Sequence, residues 1–151
     1  MVVASGASGF PVPPEAAAKA NEVFATARAK GTKAAAELWL TNPMVAVASR
    51  KESTRDLVRS MVLDNHAVFT MRHWPQEPLE PEAAARLSEI KAPTLVILGG
   101  DDIPLVNDLG RSTAKGIAGS RLEVIAGADH LPQMVDAAKV NALLRDFLRG
   151  R

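Results

Sequence analysis

The sequence contains no cysteine. That excludes disulfides, thiolate nucleophiles and cysteine-ligated zinc. It is poor in aromatic residues, at 4%, and has no tyrosine. It has no surplus of one charge sign: 18 Lys and Arg stand against 17 Asp and Glu, a formal net charge of +1. A near-neutral chain offers no electrostatic grounds for a nucleic-acid or anionic-membrane partner. No apolar run approaches the roughly 20 residues needed to span a bilayer. Met1-Val2-Val3-Ala4 lacks the basic start and the length of a signal peptide, so a cytoplasmic location is the expectation. Neither a P-loop nor a Gly-x-Gly-x-x-Gly occurs, so no nucleotide role and no cofactor are implied.

What is present is the balance of a soluble single domain: 151 residues, 47% hydrophobic and 23% charged. Alanine is abundant, which favours helix and makes packing surfaces thin. Val2-Val3-Ala4 reads as a short buried strand. Pro13-Pro14-Glu15 suits a helix start, and Ala20, Val23, Phe24 and Ala27 form an apolar stripe at helical spacing. Gly31 stops that helix, and Thr32 is placed to cap a second one running to about Leu40 before Asn42-Pro43. The pattern predicts a third helix from about Lys51 to Phe69, with Leu57, Met61, Val62 and Val68 inward. A proline-broken connector follows, then a short helix from Pro81-Glu82 to about Ile90.

The signal sharpens after Pro93. Thr94-Leu95-Val96-Ile97-Leu98 is a continuous apolar run, the pattern of a strand buried on both faces. A helix from about Val106 to Ile117 and a strand Leu122-Glu123-Val124-Ile125 come next. A last helix opens at Pro132 and is expected to bury Val135, Val140, Leu144, Phe147 and Leu148. Strand–helix–strand predicts a parallel, right-handed crossover.

In an open parallel sheet, chemistry sits at the carboxyl ends of the strands. Asp101 and Asp102 follow one such strand and His130 follows the next. Side by side, a carboxylate there accepts a hydrogen bond from one imidazole nitrogen and leaves the other free as a general base. These are two of the three parts of a nucleophile–base–orienter triad.

Residues 93–104, Pro-Thr-Leu-Val-Ile-Leu-Gly-Gly-Asp-Asp-Ile-Pro, resemble the seventh-strand segment of the α/β-hydrolase superfamily, where Gly-x-x-Asp delivers the triad acid. Residues 125–132, Ile-Ala-Gly-Ala-Asp-His-Leu-Pro, resemble the segment that delivers its histidine. Residues 141–148 resemble its final helix, and Val2-Val3-Ala4-Ser5-Gly6 its sixth strand. The resemblance implies a partial α/β-hydrolase fold: about three parallel strands, flanking helices and an inserted helical cap. Residues 1–11 and 91–151 would form the core and 12–90 the cap. Counted from Gly99, it places the acid at Asp102, with Asp101 the runner-up, and the base at His130.

One position departs from the family. Asp129 stands where Gly usually precedes the histidine; Asp tolerates the left-handed turn better than most residues, and its charge would raise the imidazole pKa. As the partner of His130 it is disfavoured, because adjacent side chains point apart.

The nucleophile elbow, often Gly-x-Ser-x-Gly, is missing. Ser8, in Gly6-Ala7-Ser8-Gly9-Phe10, lacks the second glycine and the following helix, so a strand-exit loop is the better reading. The resemblance thus implies the second half of a hydrolase acting on an ester, a lactone or a carbon–carbon bond next to a carbonyl, with a small-molecule carbonyl substrate. The alternative is a non-catalytic truncated fragment, or a split half that pairs with a partner through its first strand. Alone, such a chain is expected to be marginally stable or self-associating. A third reading, a receiver-like domain binding a divalent cation at Asp101-Asp102, lacks a carboxylate at another strand end. His66, His73 and Asp64 show no metal-ligand spacing, and Trp39, Phe69 and Trp74 are candidates to line a pocket beneath the cap.

Overall fold

Four consecutive apolar side chains can be satisfied only where both faces of a strand are covered. In the computed structural model, which describes residues 2–3, 13–70 and 80–150, β2 (Leu95–Gly99) meets that condition and is buried along its whole length. It is the middle of a three-stranded sheet of order β1-β2-β3. β1 (Val2–Val3) pairs parallel to Leu95 and Val96. β3 (Arg121–Ile125) pairs parallel on the other side, from Leu95 opposite Arg121 to Gly99 opposite Ile125.

Alternation along β2 divides the core. Leu95 and Ile97 join Ile125, Ala128 and Val140, with Leu143, Leu144 and Phe147 of α7 (Ala137–Leu148) packed against them. Val96 and Leu98 face the other way, onto Ala114 of α5 (Pro104–Gly116). Here α5 approaches closely because Gly110 has no side chain: a Cβ there would stand 2.3 Å from Leu98 Cδ2. The expected strand–helix–strand unit is therefore present, two residues longer at the start of α5 than the apolar pattern suggested.

Between β1 and β2 the chain forms a helical layer: α1 (Pro14–Lys30), α2 (Thr32–Trp39), a 3-10 turn (Pro43–Val45), α3 (Ala46–Arg50), α4 (Arg55–Asp64) and a second 3-10 turn (His66–Thr70). Its buried residues are small: Val23, Ala35, Ala36, Val45, Ala48 and Val58. Phe69 ties the layer together, 6.5 Å from the ring of Phe24 and 6.4 Å from that of Trp39. No helix among the described residues is long and apolar enough to cross a membrane.

Several local expectations are corrected. The helix predicted over Lys51–Phe69 is broken twice. The Thr54 hydroxyl donates to the Ala48 carbonyl at 2.7 Å, holding a turn before α4. Asn65 donates to the Met61 carbonyl and closes α4. Such side-chain bonds to the backbone compete with the helical ladder. Thr32 does not cap α2; Gly31, at φ +89°, is the cap position, and the Thr32 hydroxyl pairs with His66 instead. The segment after Pro81 is a 3-10 helix, Ala83–Glu89. The last helix is two, α6 (Pro132–Val135) and α7, because the Asp136 carboxylate accepts from Lys139 N and starts a new helix. Leu148 at its end is exposed rather than buried.

Candidate active site

The two turns at the carboxyl ends of β2 and β3 are stapled by backbone bonds: Gly100 N donates to Ile125 O and Asp101 N to Ala128 O, both at 2.8 Å. The approach is so close that a Cβ on Gly99 would stand 1.9 Å from the Asp129 carbonyl oxygen. Only glycine lets the end of β2 lie against the histidine turn.

This brings together two of the residues predicted from sequence. His130 Nδ1 lies 2.8 Å from Asp102 Oδ2. The Asp102 side chain is 2% exposed and that of His130 29%. The second carboxylate oxygen, Oδ1, accepts from Ile103 N at 2.7 Å, and Asn107 Nδ2 donates to the Asp102 carbonyl. Nδ1 then carries the proton toward the carboxylate and Nε2 is left for other work. The hydrogen bond from Asp102 raises the His130 pKa above its ordinary value; burial opposes this, and the charges of Asp102 and Asp129 add to the rise. Asp101 is exposed, and the carboxylate bonded to His130 is that of Asp102. Asn107 is a site residue that sequence reasoning missed; its only sequence signal is its place in the first turn of the helix that follows the acid.

The Asp129 carboxylate makes its hydrogen bonds to the backbone. The residue is fully buried, and its carboxylate accepts three backbone N–H groups: Val47 at 2.7 Å and Ala48 at 3.0 Å on Oδ2, and Leu131 at 3.1 Å on Oδ1. The expectation that Asp129 takes a left-handed turn is corrected. No described non-glycine residue has positive φ, and Gly127, at φ +72°, makes the turn instead. On the other side of the same turn, His130 N donates to Met44 O at 3.0 Å.

His130 opens onto a cavity of about 350 Å³. Its walls include Trp39, Val45, Val58, Met61, Phe69 and Met134, with Asn65 and Gln133 as the polar members beside His130. The expected inner face of the third helix is thus partly right. Met61, Val62 and Val68 line this cavity, yet Met61 and Val68 stay about half exposed because they face an open space, and Leu57 is exposed outright. Trp39 and Phe69 are in the wall as expected; Trp74 lies outside the described residues, as do His73 and Ser8. The His66 Nδ1 is 2.8 Å from the Thr32 hydroxyl. Among the described residues no three His, Asp or Glu side chains gather to hold a metal ion.

No family model matches the chain. Among curated proteins it is 38% identical over 69 residues to 2-hydroxy-6-oxononadienedioate/2-hydroxy-6-oxononatrienedioate hydrolase 2 of Pseudomonas putida, covering 46% of this chain and 24% of that protein. The corresponding hydrolase of Klebsiella pneumoniae is 38% identical over 68 residues, 45% of this chain and 24% of that protein. Among solved structures, MenH from S. aureus superposes with a TM-score of 0.73 at 18% identity, covering 99% of this chain and 58% of that one. An N-acyl homoserine lactone degrading enzyme gives 0.66 at 25% identity, covering 97% and 56%. The enol-lactonase from Burkholderia xenovorans gives 0.60 at 26%, covering 85% and 49%. The match thus spans about a quarter of the length of the curated relatives, and about half that of the solved structures.

Proposed function

We propose that this chain, which has a partial α/β-hydrolase fold, supplies the base and the acid of a hydrolase triad acting on an ester, a lactone or a carbon–carbon bond next to a carbonyl. The observation that carries the reading is the pairing of His130 Nδ1 with the buried Asp102 carboxylate at the mouth of an apolar cavity. A hydroxyl nucleophile surrenders its proton to His130 Nε2 as it attacks the carbonyl carbon, and His130 later passes that proton to the leaving group. Asp102 holds the ring in the needed tautomer and stabilises the imidazolium. Asn107, through the Asp102 carbonyl, steadies the acid.

In this reading residues 12–90 are a cap over the site and residues 1–11 and 91–151 the core. The cavity takes the apolar arm of a small carbonyl compound, since a charged arm among Trp39, Val45, Val58, Met61 and Phe69 would be desolvated without a partner. The similar proteins named for lactones or for a carbon–carbon hydrolase substrate support the reaction class. No nucleophile elbow occurs in the sequence, so the attacking group comes from a segment additional to these residues. That segment joins the sheet beside β1, and the 151 residues alone are inactive.

The test begins with the reading frame upstream of the Met1 codon. A frame encoding strand–Gly-x-Ser-x-Gly–helix supplies the expected nucleophile, and the longer protein is then assayed on short-chain esters and lactones. His130→Ala in that protein is expected to lower kcat on the order of 10⁴-fold. Turnover retained by that variant would remove His130 from the mechanism. If the frame is closed, hydrolysis by the 151-residue chain alone would refute the need for an added nucleophile.

A further inference from the structure

A buried carboxylate with no cation beside it is costly unless hydrogen bonds replace the lost water. Asp129 is in that position: fully buried, its formal charge is met by three backbone N–H groups. A turn at a strand end needs no such group, because a glycine or alanine would close it. The carboxylate therefore has a reason beyond the turn, and its partners show what that reason is. Val47 and Ala48 belong to α3, more than 80 residues away in sequence. Leu131 is two residues on, so Oδ1 closes a small ring across the backbone of His130 itself. The backbone of His130 adds a third tie to the same helical segment through Met44 O. Val45, inside the tied segment, lines the cavity onto which His130 opens.

We propose that Asp129 is a positioning residue: its carboxylate clamps residues 44–48 onto the histidine turn, and so sets the distance between the apolar wall and the imidazole. The clamp is a matter of geometry; its meaning for catalysis rests on His130 being the base, as proposed above. One side chain thereby couples two parts of the site that come from different layers. If it is lost, the wall and the base move independently, and the ring's surroundings change.

The test uses the protein as it is made, the longer protein if the upstream frame is open and the 151-residue chain if it is closed, and needs no substrate. Amide hydrogen exchange and the NMR titration of the His130 ring are compared in the wild type, Asp129→Asn and Asp136→Asn. Asp136 also caps a helix with its carboxylate, but away from His130, so it reports a purely structural loss. The charged groups bearing on the imidazole are Asp102, from the end of β2, and Asp129. The cavity residues facing it from α2, α4 and α6, among them Trp39, Val58, Met61, Asn65 and Met134, are uncharged.

Asp129→Asn is expected to raise exchange at Val47 and Ala48 about tenfold or more while leaving Ile97 and Leu98 unchanged. It is also expected to lower the His130 midpoint. Asp136→Asn should do neither. Unchanged exchange at Val47 and Ala48, or an unchanged His130 midpoint, would overturn the clamp. If Asp129→Asn does not fold, scalar couplings across the hydrogen bonds from Val47 and Ala48 nitrogen to Asp129 Cγ in the wild type decide, and their absence overturns it. Turnover surviving in His130→Ala would instead refute the proposed function and leave the clamp standing.

Discussion

The sheet layer and the helical layer solve packing in opposite ways. Around β2 the large side chains are interior: Leu95, Val96, Ile97 and Leu98 are at most 3% exposed, and helices close both faces. In the helical layer the buried apolar positions are small, the alanines Ala35, Ala36 and Ala48 and the valines Val23, Val45 and Val58, while Met61 and Val68 stand half exposed around a cavity. The first layer spends its apolar surface on itself and becomes a rigid mount. The second leaves apolar side chains open around the cavity beside His130, as ligand pockets do. Asp102 and His130 ride on the sheet layer and most of the cavity wall on the helical one.

That contrast is open to direct attack. Leu98→Ala removes a large side chain from a site closed on both faces, and should cost about 3 kcal/mol or more in urea unfolding. Gly99→Ala forces the Asp129 carbonyl away from the end of β2. It should cost about 2 kcal/mol and lengthen the His130–Asp102 contact, which the His130 titration would report as a lower midpoint. Val58→Ala, in the helical layer, should cost about 1.5 kcal/mol, because Val58 is buried but loses only two methyl groups there. A loss at Val58 equal to that at Leu98 would erase the distinction between the layers.

A smaller effect is set by pH. The folded His130 has a raised pKa, chiefly from Asp102. Its contribution to stability is therefore fully present below the ordinary histidine pKa of about 6.5 and fades as pH rises through the higher folded value. The stability difference between wild type and His130→Gln should be larger at pH 5.5 than at pH 9, and a difference that grows with pH would contradict the pairing. The smallest effect belongs to the surface of the helical layer. Arg59 grips Glu37 with two bonds, of 2.5 and 2.7 Å, in open solvent. Glu37→Gln should move the unfolding midpoint least of all these variants, and less still in high salt.

Legibility follows the same division. β2 is readable because a run of four apolar residues between turn formers leaves few alternatives, and Asp102 is readable from its distance to Gly99. His130 is readable because it follows the next strand. These are local signals. Residues 51–69 read as one helix, since their apolar spacing continues through Thr54 and Asn65, whose side chains turn back on the backbone. Asp129 stands out in the sequence only as the residue before His130 where glycine is usual; its partners lie at positions 47 and 48, and nothing in the neighbouring sequence announces them. The role of Thr32 is hidden from the local sequence for the same reason, because its partner His66 is 34 residues away.

The notch at Gly110 has a mechanical consequence. A helix resting on a smooth sheet can roll about its long axis at little cost, whereas one with a side chain of the sheet seated in its surface cannot. Leu98 occupies the place that a Cβ on Gly110 would need, so it acts as a key in a slot. α5 begins two residues after Asp102, and any roll would be passed up the chain as a twist at that residue. The angular setting of the carboxylate is thus held from the far side of the sheet by shape alone, with no polar contact between Leu98 and Gly110.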